Sequence, residues 1–298
     1  ALHHAKEIGG NGFRFYAKEM HERATRRFNM ETLLNRALKR GEFVLHYQPQ
    51  MSLASGRTVG LEALLRWYPV DGKPVPPGEF IPVAEETGLI TAIGDWVIDE
   101  VCAQLAAWKR EGQPLVPVAV NLSARQFVQQ DLIRCVRRSL SEHALDSKYL
   151  ELELTESVIM RDVEETRSKL QALRDIGVTI AVDDFGTGYS SMSYLKRFPL
   201  NTLKIDRTFV RDLSSDFNDV GIVRAIISLG KSLQLITVAE GVETMDQQLI
   251  LSELSCDRIQ GYYYSRPIPA NEIPPFLGRS GREDQVPHLA DGQQGLAS

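Results

Sequence analysis

The sequence predicts an α/β chain, a modified TIM (β/α)8 barrel with an irregular, partly antiparallel start. Three observations predict it. After an opening hairpin, short apolar β-prone runs alternate with helical stretches six times. A polar residue closes or sits near the end of each run: Asn121, Glu153, Asp183, Lys204, Glu240 and Gln260. Their spacing, roughly 20–36 residues, matches βα units. The strand count reaches about eight, and in such barrels the carboxyl ends of the strands carry the active site.

The bulk properties agree with a globular chain. It has 298 residues, 43% hydrophobic and 24% charged, with a formal net charge of −5. That charge argues against a general DNA-binding surface. Cys102, Cys135 and Cys256 are far apart and without metal-pair spacing, so they read as reduced thiols in a cytoplasmic setting. No run is long and apolar enough to span a membrane, and no signal-peptide pattern opens the chain, so no direct membrane contact is expected.

The elements follow in order. Ala1–Glu7 reads as a helix end, Gly9-Gly10-Asn11-Gly12 as a stop, and Phe13–Tyr16 as a short edge strand. These cannot bury a core, so the chain is expected to begin inside a larger protein. His3 and His4 are adjacent on a helix and diverge, which argues against a shared metal. Residues 17–40 read as a charged linker helix with sparse apolar positions at Met20, Phe28, Leu33, Leu34 and Leu38.

Phe43 to Ser52 and Thr58 to Trp67 form a hairpin around Ser55-Gly56-Arg57. Glu62 lies inside the apolar run Leu61–Leu65, where a carboxylate needs a partner or a metal. A structural pair with Arg66 is the simplest partner for it. Pro69 to Pro82 reads as a loop, Ile93 to Arg110 as a helix, Val116 to Leu122 as a strand and Gln130 to His143 as a helix. Tyr149 to Ser157 alternates, with Leu150, Leu152 and Leu154 on one face and Glu151, Glu153 and Thr155 on the other. A helix over Val163 to Asp175 follows. Thr179 to Phe185 ends in Asp183-Asp184, and Met192 to Arg197 is a short helix.

In Thr202 to Asp206, Lys204 is too polar for a core without carboxylate partners. Val220 to Leu233 carries a core stripe of Ile222, Val223, Ile226, Ile227 and Leu229. Gln234 to Glu240 and Arg258 to Ser265 are the last strands. Glu243, near a helix start, also fits a plain N-terminal acid. Residues 279–298 form a polar tail expected to be disordered.

Two adjacent aspartates at the end of a buried strand repel each other and lose hydration unless a cation or proton neutralises them. Hard oxygen ligands of this kind suit Mg2+ or Mn2+. On that stretch alone, solvated aspartates capping a helix remain the competing reading.

The motifs together resemble the EAL-domain cyclic di-GMP phosphodiesterases. They are Tyr47-Gln48-Pro49, Glu62-Ala63-Leu64-Leu65-Arg66, Val120-Asn121-Leu122-Ser123, Glu153-Leu154-Thr155-Glu156, Asp183–Ser191, Leu203-Lys204-Ile205-Asp206, Ala239–Thr244 and Gln260–Pro267. The resemblance implies a barrel over residues 41–278. Residues 1–16 resemble the C-terminal end of a GGDEF (diguanylate cyclase) domain, which implies an upstream GGDEF domain and leaves room for sensor domains and a membrane anchor in the parent protein.

The resemblance further implies two Mg2+ or Mn2+ ions. Glu62, Asn121, Glu153 and Asp183 would hold the first. Asp183 would bridge to the second, beside Asp184 and Glu240. Lys204, with Glu62 and Glu240, would serve catalysis by orienting or deprotonating a water. Gln48, Arg66, Asp206 and Gln260 would serve the nucleotide pocket or its support. Glu156 would hold the loop after Asp184, and Glu243 would support the pocket. A homodimer through the helix near Ser190–Arg197 is also implied. The implied reaction cleaves cyclic di-GMP to linear pGpG. A non-hydrolysing cyclic di-GMP receptor is the alternative; such members usually lack one or more metal ligands, and this chain retains all of them, which disfavours that class. An unrelated metal-dependent barrel enzyme, such as an aldolase, would not need this set of motifs.

Overall fold

The computed structural model describes residues 30–278 apart from 71, 130, 161 and 188–194. The expected elements of 1–16, the start of the linker helix, the glycine loop at Gly188–Ser191, the first half of the helix at Met192 to Arg197 and the tail 279–298 lie outside the described residues. The chain divides into two compact units, one taking residues up to 44 together with 65–93, the other taking 45–64 together with the chain from 94 onward.

In the first unit, residues 30–40 are helical and bury Leu34 and Ala37. Phe43, Trp67 and Phe80 form an aromatic cluster with ring centroids 5.5–6.0 Å apart. The Trp67 indole donates to Glu42 Oε2 at 3.1 Å, giving a buried carboxylate a partner. The expected loop Pro69 to Pro82 is overturned in its second half: Pro77–Thr87 is a helix, α1. Pro77 occupies the first turn, where a missing N–H costs nothing. Gly88 ends α1 at φ 85°, and Leu89–Arg110, α2, follows at once, earlier than the Ile93 start expected.

In the second unit a ring of strands positions the site. Phe43–Ser52 (β1) and Thr58–Trp67 (β2) are the hairpin, and both reach into this unit. From β2 the sheet runs in parallel through Val118–Asn121 (β3), Leu150–Thr155 (β4), Thr179–Phe185 (β5), Thr202–Ile205 (β6), Ile236–Ala239 (β7) and Arg258–Ile259 (β8). β1 then pairs antiparallel with β8 and also with β2, closing the ring. Ile268–Pro269 (β9) adds antiparallel to β1. The irregular, partly antiparallel start therefore stands.

Alternation decides which side chains enter the ring. In β4 every residue from Leu150 to Leu154 is buried. The Glu151 carboxylate accepts from Thr202 Oγ1 at 2.9 Å and Glu153 from Lys204 at 2.7 Å, so the glutamate face is the interior.

Other boundaries shift. The expected strand Tyr149 to Ser157 stops at Thr155 because Glu156–Ile159 (α3) turns helical, and Arg258 to Ser265 is a strand only over Arg258–Ile259. Short helices at Ala124–Val128 and, further on, at Arg207–Arg211 (α4) carry too few residues for a periodic signal. The helix expected from Gln130 begins at Leu132. The helix Phe217–Ser232 (α5) buries Val223, Ile226 and Ile227 but exposes Ile222, which corrects the expected stripe.

Candidate active site

The site is built in two levels inside the ring. Glu62, Glu153 and Lys204 come from β2, β4 and β6. Their ladder partners on the next strands are Ala119, Ala181 and Val238. Asn121, Asp183 and Glu240 each lie two residues beyond that partner, so they face the same interior one pleat nearer the strand exits. Side chains from alternate strands fill successive layers of such barrels. Here those layers are polar.

Lys204 holds the lower level together. It is 0% exposed, and its Nζ lies 2.6 Å from Glu240 Oε1, 2.7 Å from Glu153 Oε2, 3.4 Å from Asp183 Oδ1 and 3.6 Å from Glu62 Oε2. Burial alone would lower its pKa, but Glu153, Glu240, Glu62 and Asp183 more than offset this and hold the ammonium charged. Burial drives Glu153 well above the carboxylate range and Glu240 to about 8, with the neighbouring acids adding to both. Glu62 goes the other way. Its burial is outweighed by Lys204 and by the amides of Gln260 and Asn121, which leave its carboxyl below the usual range.

Asp183 and Asp184 escape strand alternation by a backbone device. Asp184 has φ 54°, and the β5–β6 register slips between Val182 and Phe185. Aspartate is one of the few residues that tolerate this left-handed conformation. Consecutive strand residues otherwise point to opposite faces. With the slip, ligand oxygens of Asp183, Asp184 and Glu240 lie within 4.8 Å of one another. Burial, with Asp183 and Asp206, pushes Asp184 up to about 6.

The remaining expected residues divide. Gln48 and Gln260 are buried and hydrogen-bonded to each other at 3.0 Å. Gln260 Nε2 also donates to Glu62 Oε2 at 2.5 Å, while Asn121 Nδ2 donates to Glu62 Oε1 at 2.6 Å. Glu62 thus has partners other than the Arg66 that simple strand spacing suggests. Asp206 caps α4, accepting from the Thr208 backbone at 2.9 Å and from its hydroxyl. Thr208 is a partner that the sequence does not single out. Glu156 is buried, and its Oε2 accepts from the Gly186 N–H at 3.0 Å. Glu243 is exposed; its backbone N–H joins the cap of the next helix through Gln247 Oε1 at 2.7 Å. Arg66 belongs to the first unit, where its Nη1 donates to the Leu65 carbonyl at 2.9 Å.

The donor set fits hard divalent cations. It consists of carboxylate oxygens and one amide, and Glu153 Oε1 is buried without a hydrogen-bond partner. A cluster of buried acids held by one ammonium is a costly arrangement that further positive charge relieves.

Comparison with known proteins agrees with this geometry. Residues 32–267 match the EAL domain family. The chain is 46% identical over 274 residues to the Pseudomonas aeruginosa protein named bifunctional diguanylate cyclase/cyclic di-GMP phosphodiesterase MucR, covering 92% of this chain and 40% of that protein. It is 41% identical over 290 residues to the cyclic di-GMP phosphodiesterase NbdA of the same organism, covering 97% of this chain and 37% of that one. Among solved structures, the PaMucR phosphodiesterase in complex with c-di-GMP superposes with a TM-score of 0.80 at 47% identity, over 82% of this chain and 99% of that one. The chain therefore spans well under half the length of the curated relatives it matches.

Proposed function

The chain belongs to the EAL-domain family, and from that premise we propose that it hydrolyses one phosphodiester bond of cyclic di-GMP to give linear pGpG, using two Mg2+ or Mn2+ ions. The observation that carries this reading is Lys204 Nζ within 3.6 Å of carboxylate oxygens from Glu62, Glu153, Asp183 and Glu240. A barrel needs no such cluster for its stability, and hydrophobic residues would serve the core at least as well.

Glu62, Asn121, Glu153 and Asp183 would hold one ion, and Asp183, Asp184 and Glu240 the other. Bound there, such ions would supply the acidification of a water and the stabilisation of the attacking and leaving oxygens. Five carboxylates against one ammonium leave the negative charge that two divalent cations neutralise. Lys204, kept charged by its neighbours, serves as a donor that orients the water and steadies charge on the phosphate. Taking a proton would require it first to lose the charge that the carboxylates favour. Arg66 offers a planar fork to phosphate or to a guanine edge, and Asp206 an acceptor for a guanine amino group.

The proposal extends to a homodimer through the segment near Ser190–Arg197, to upstream GGDEF and sensor domains in the parent chain and to a cytoplasmic location. No helix among the described residues is long and apolar enough to cross a membrane. The test is to incubate the purified chain with cyclic di-GMP and Mg2+ or Mn2+ and to separate the products. Formation of pGpG is expected. Tight binding without pGpG under both metals would make the chain a receptor, and absence of binding would remove both readings.

A further inference from the structure

We infer that Gln48 and Gln260 are positioning residues for Glu62 rather than contacts to the nucleotide. This rests on the reading of Glu62 as a metal ligand and deepens it. The two amides form a directional chain. Gln48 Nε2 donates to the Ser265 carbonyl at 3.0 Å, which leaves Gln48 Oε1 facing Gln260. Gln260 Nε2 spends one proton on that oxygen at 3.0 Å and the other on Glu62 Oε2 at 2.5 Å. A carbonyl only accepts, so the Ser265 end sets the sense of the whole chain: reversing Gln48 would turn its NH2 group toward the NH2 group of Gln260.

Both side chains are too enclosed and too fully used for substrate recognition. Gln48 is 7% exposed and Gln260 4% exposed. Three of their four amide termini are engaged with protein, and only Gln260 Oε1 lacks a partner. The backbone at Gln260 is fixed as well. Its carbonyl accepts from the Val242 N–H at 3.1 Å, and a Cβ on Gly261 would meet the Val242 carbonyl oxygen at 2.1 Å. Close approach of these two loops therefore needs glycine at 261. Asn121 holds the second oxygen of Glu62 from the opposite side. The carboxylate is thus oriented at both oxygens before any ion arrives. Orientation of a ligand by hydrogen bonds behind it typically governs metal affinity by about 10–100-fold.

The experiment compares Gln48→Leu with the wild-type chain. Gln48 touches Glu62 only through Gln260, so the variant keeps every proposed ligand. Mn2+ affinity is titrated calorimetrically without nucleotide, and kcat and KM for cyclic di-GMP are then measured. The chain of amides predicts Mn2+ binding weakened about 10–100-fold and a lower kcat at saturating Mn2+, with KM within about twofold of wild type. Unchanged Mn2+ affinity with a raised KM would make Gln48 a nucleotide contact and overturn the inference. Gln260→Met is the second variant and is expected to show the same pattern. Loss of the folded state in both would assign the amides to fold stability and equally overturn it. Wild-type chain that binds Mn2+ but makes no pGpG would defeat the proposed function while leaving the affinity comparison readable.

Discussion

The ammonium of Lys204 lies 2.6 Å from Glu240 Oε1, the shortest of its four carboxylate contacts. Lys204 points into the ring from β6 and Glu240 follows the last residue of β7, so one contact joins the lower polar level to the upper one.

Removing that cation should separate two roles. Lys204→Met leaves Glu153 and its neighbours buried without a counter-charge. Breaking a buried pair in this way costs about 3–5 kcal/mol. Chemical denaturation in the presence of a chelator should show a loss of that size, partly recovered by saturating Mn2+. Turnover should fall at least ~100-fold with or without the recovery, as should that of Glu62→Ala. A near-normal rate in either variant would refute its assigned role.

Metal affinity should rise with pH. In the ion-free protein burial pushes Asp184 up to about 6 and Glu240 up to about 8. Each must lose its proton to ligate, so protons compete with the ion. Below pH 6 both are protonated and binding is weakest. Affinity climbs as pH passes 6 and then 8, and Glu153, held well above the carboxylate range by burial, adds its own proton to the competition. Titration across this range should reveal proton release on binding, and Glu240→Gln should remove the upper part of the climb.

The left-handed backbone at Asp184 gives a distinct signature. Asn tolerates that conformation, so Asp184→Asn should keep the melting temperature while weakening the second ion. A β-branched residue does not. Asp184→Val should add a destabilisation of about 1–2 kcal/mol to the same loss of affinity. Equal melting temperatures for the two variants would contradict the backbone argument.

Glu156 tests whether the loop after β5 supports the metal ligands. Glu156→Ala deprives the Gly186 N–H of its acceptor. An unsatisfied donor there costs about 1–3 kcal/mol. Mn2+ affinity and turnover should both fall. If both stay intact, the proposed coupling between this loop and Asp184 is lost.

Much of this was legible in the residues. The β4 run Leu150–Thr155 alternates so regularly that its glutamates had to share a face, and Glu151 and Glu153 both point into the ring. Lys204 could be assigned carboxylate partners because an unpaired lysine is not stable in a core. Other features left no local trace. Asp183 and Asp184 side by side imply opposite faces, and only a register slip brings them together. Pro77 and Pro82 suggest a loop, yet the first is harmless at a helix start and the second is carried within α1. Gln48 and Gln260 carry no sign of how their amides would be spent, since the two lie 212 residues apart in the chain. Ile222 follows the helical period of its neighbours and still faces outward.

The eight strands of the ring each deliver at least one polar group, either within the strand or in the loop at its exit, among them Gln48, Glu62, Asn121, Glu153, Asp183, Lys204, Glu240 and Gln260. No contiguous half of the chain owns the proposed ligand set. Cutting the gene at the loop after any strand from β2 to β6 into two separately folded pieces divides the proposed ligands between them, whereas a circular permutant that keeps all eight neighbours preserves the whole set. Ion occupancy is thereby a completeness check on the ring, and it should disappear in step with global unfolding instead of fading one strand at a time.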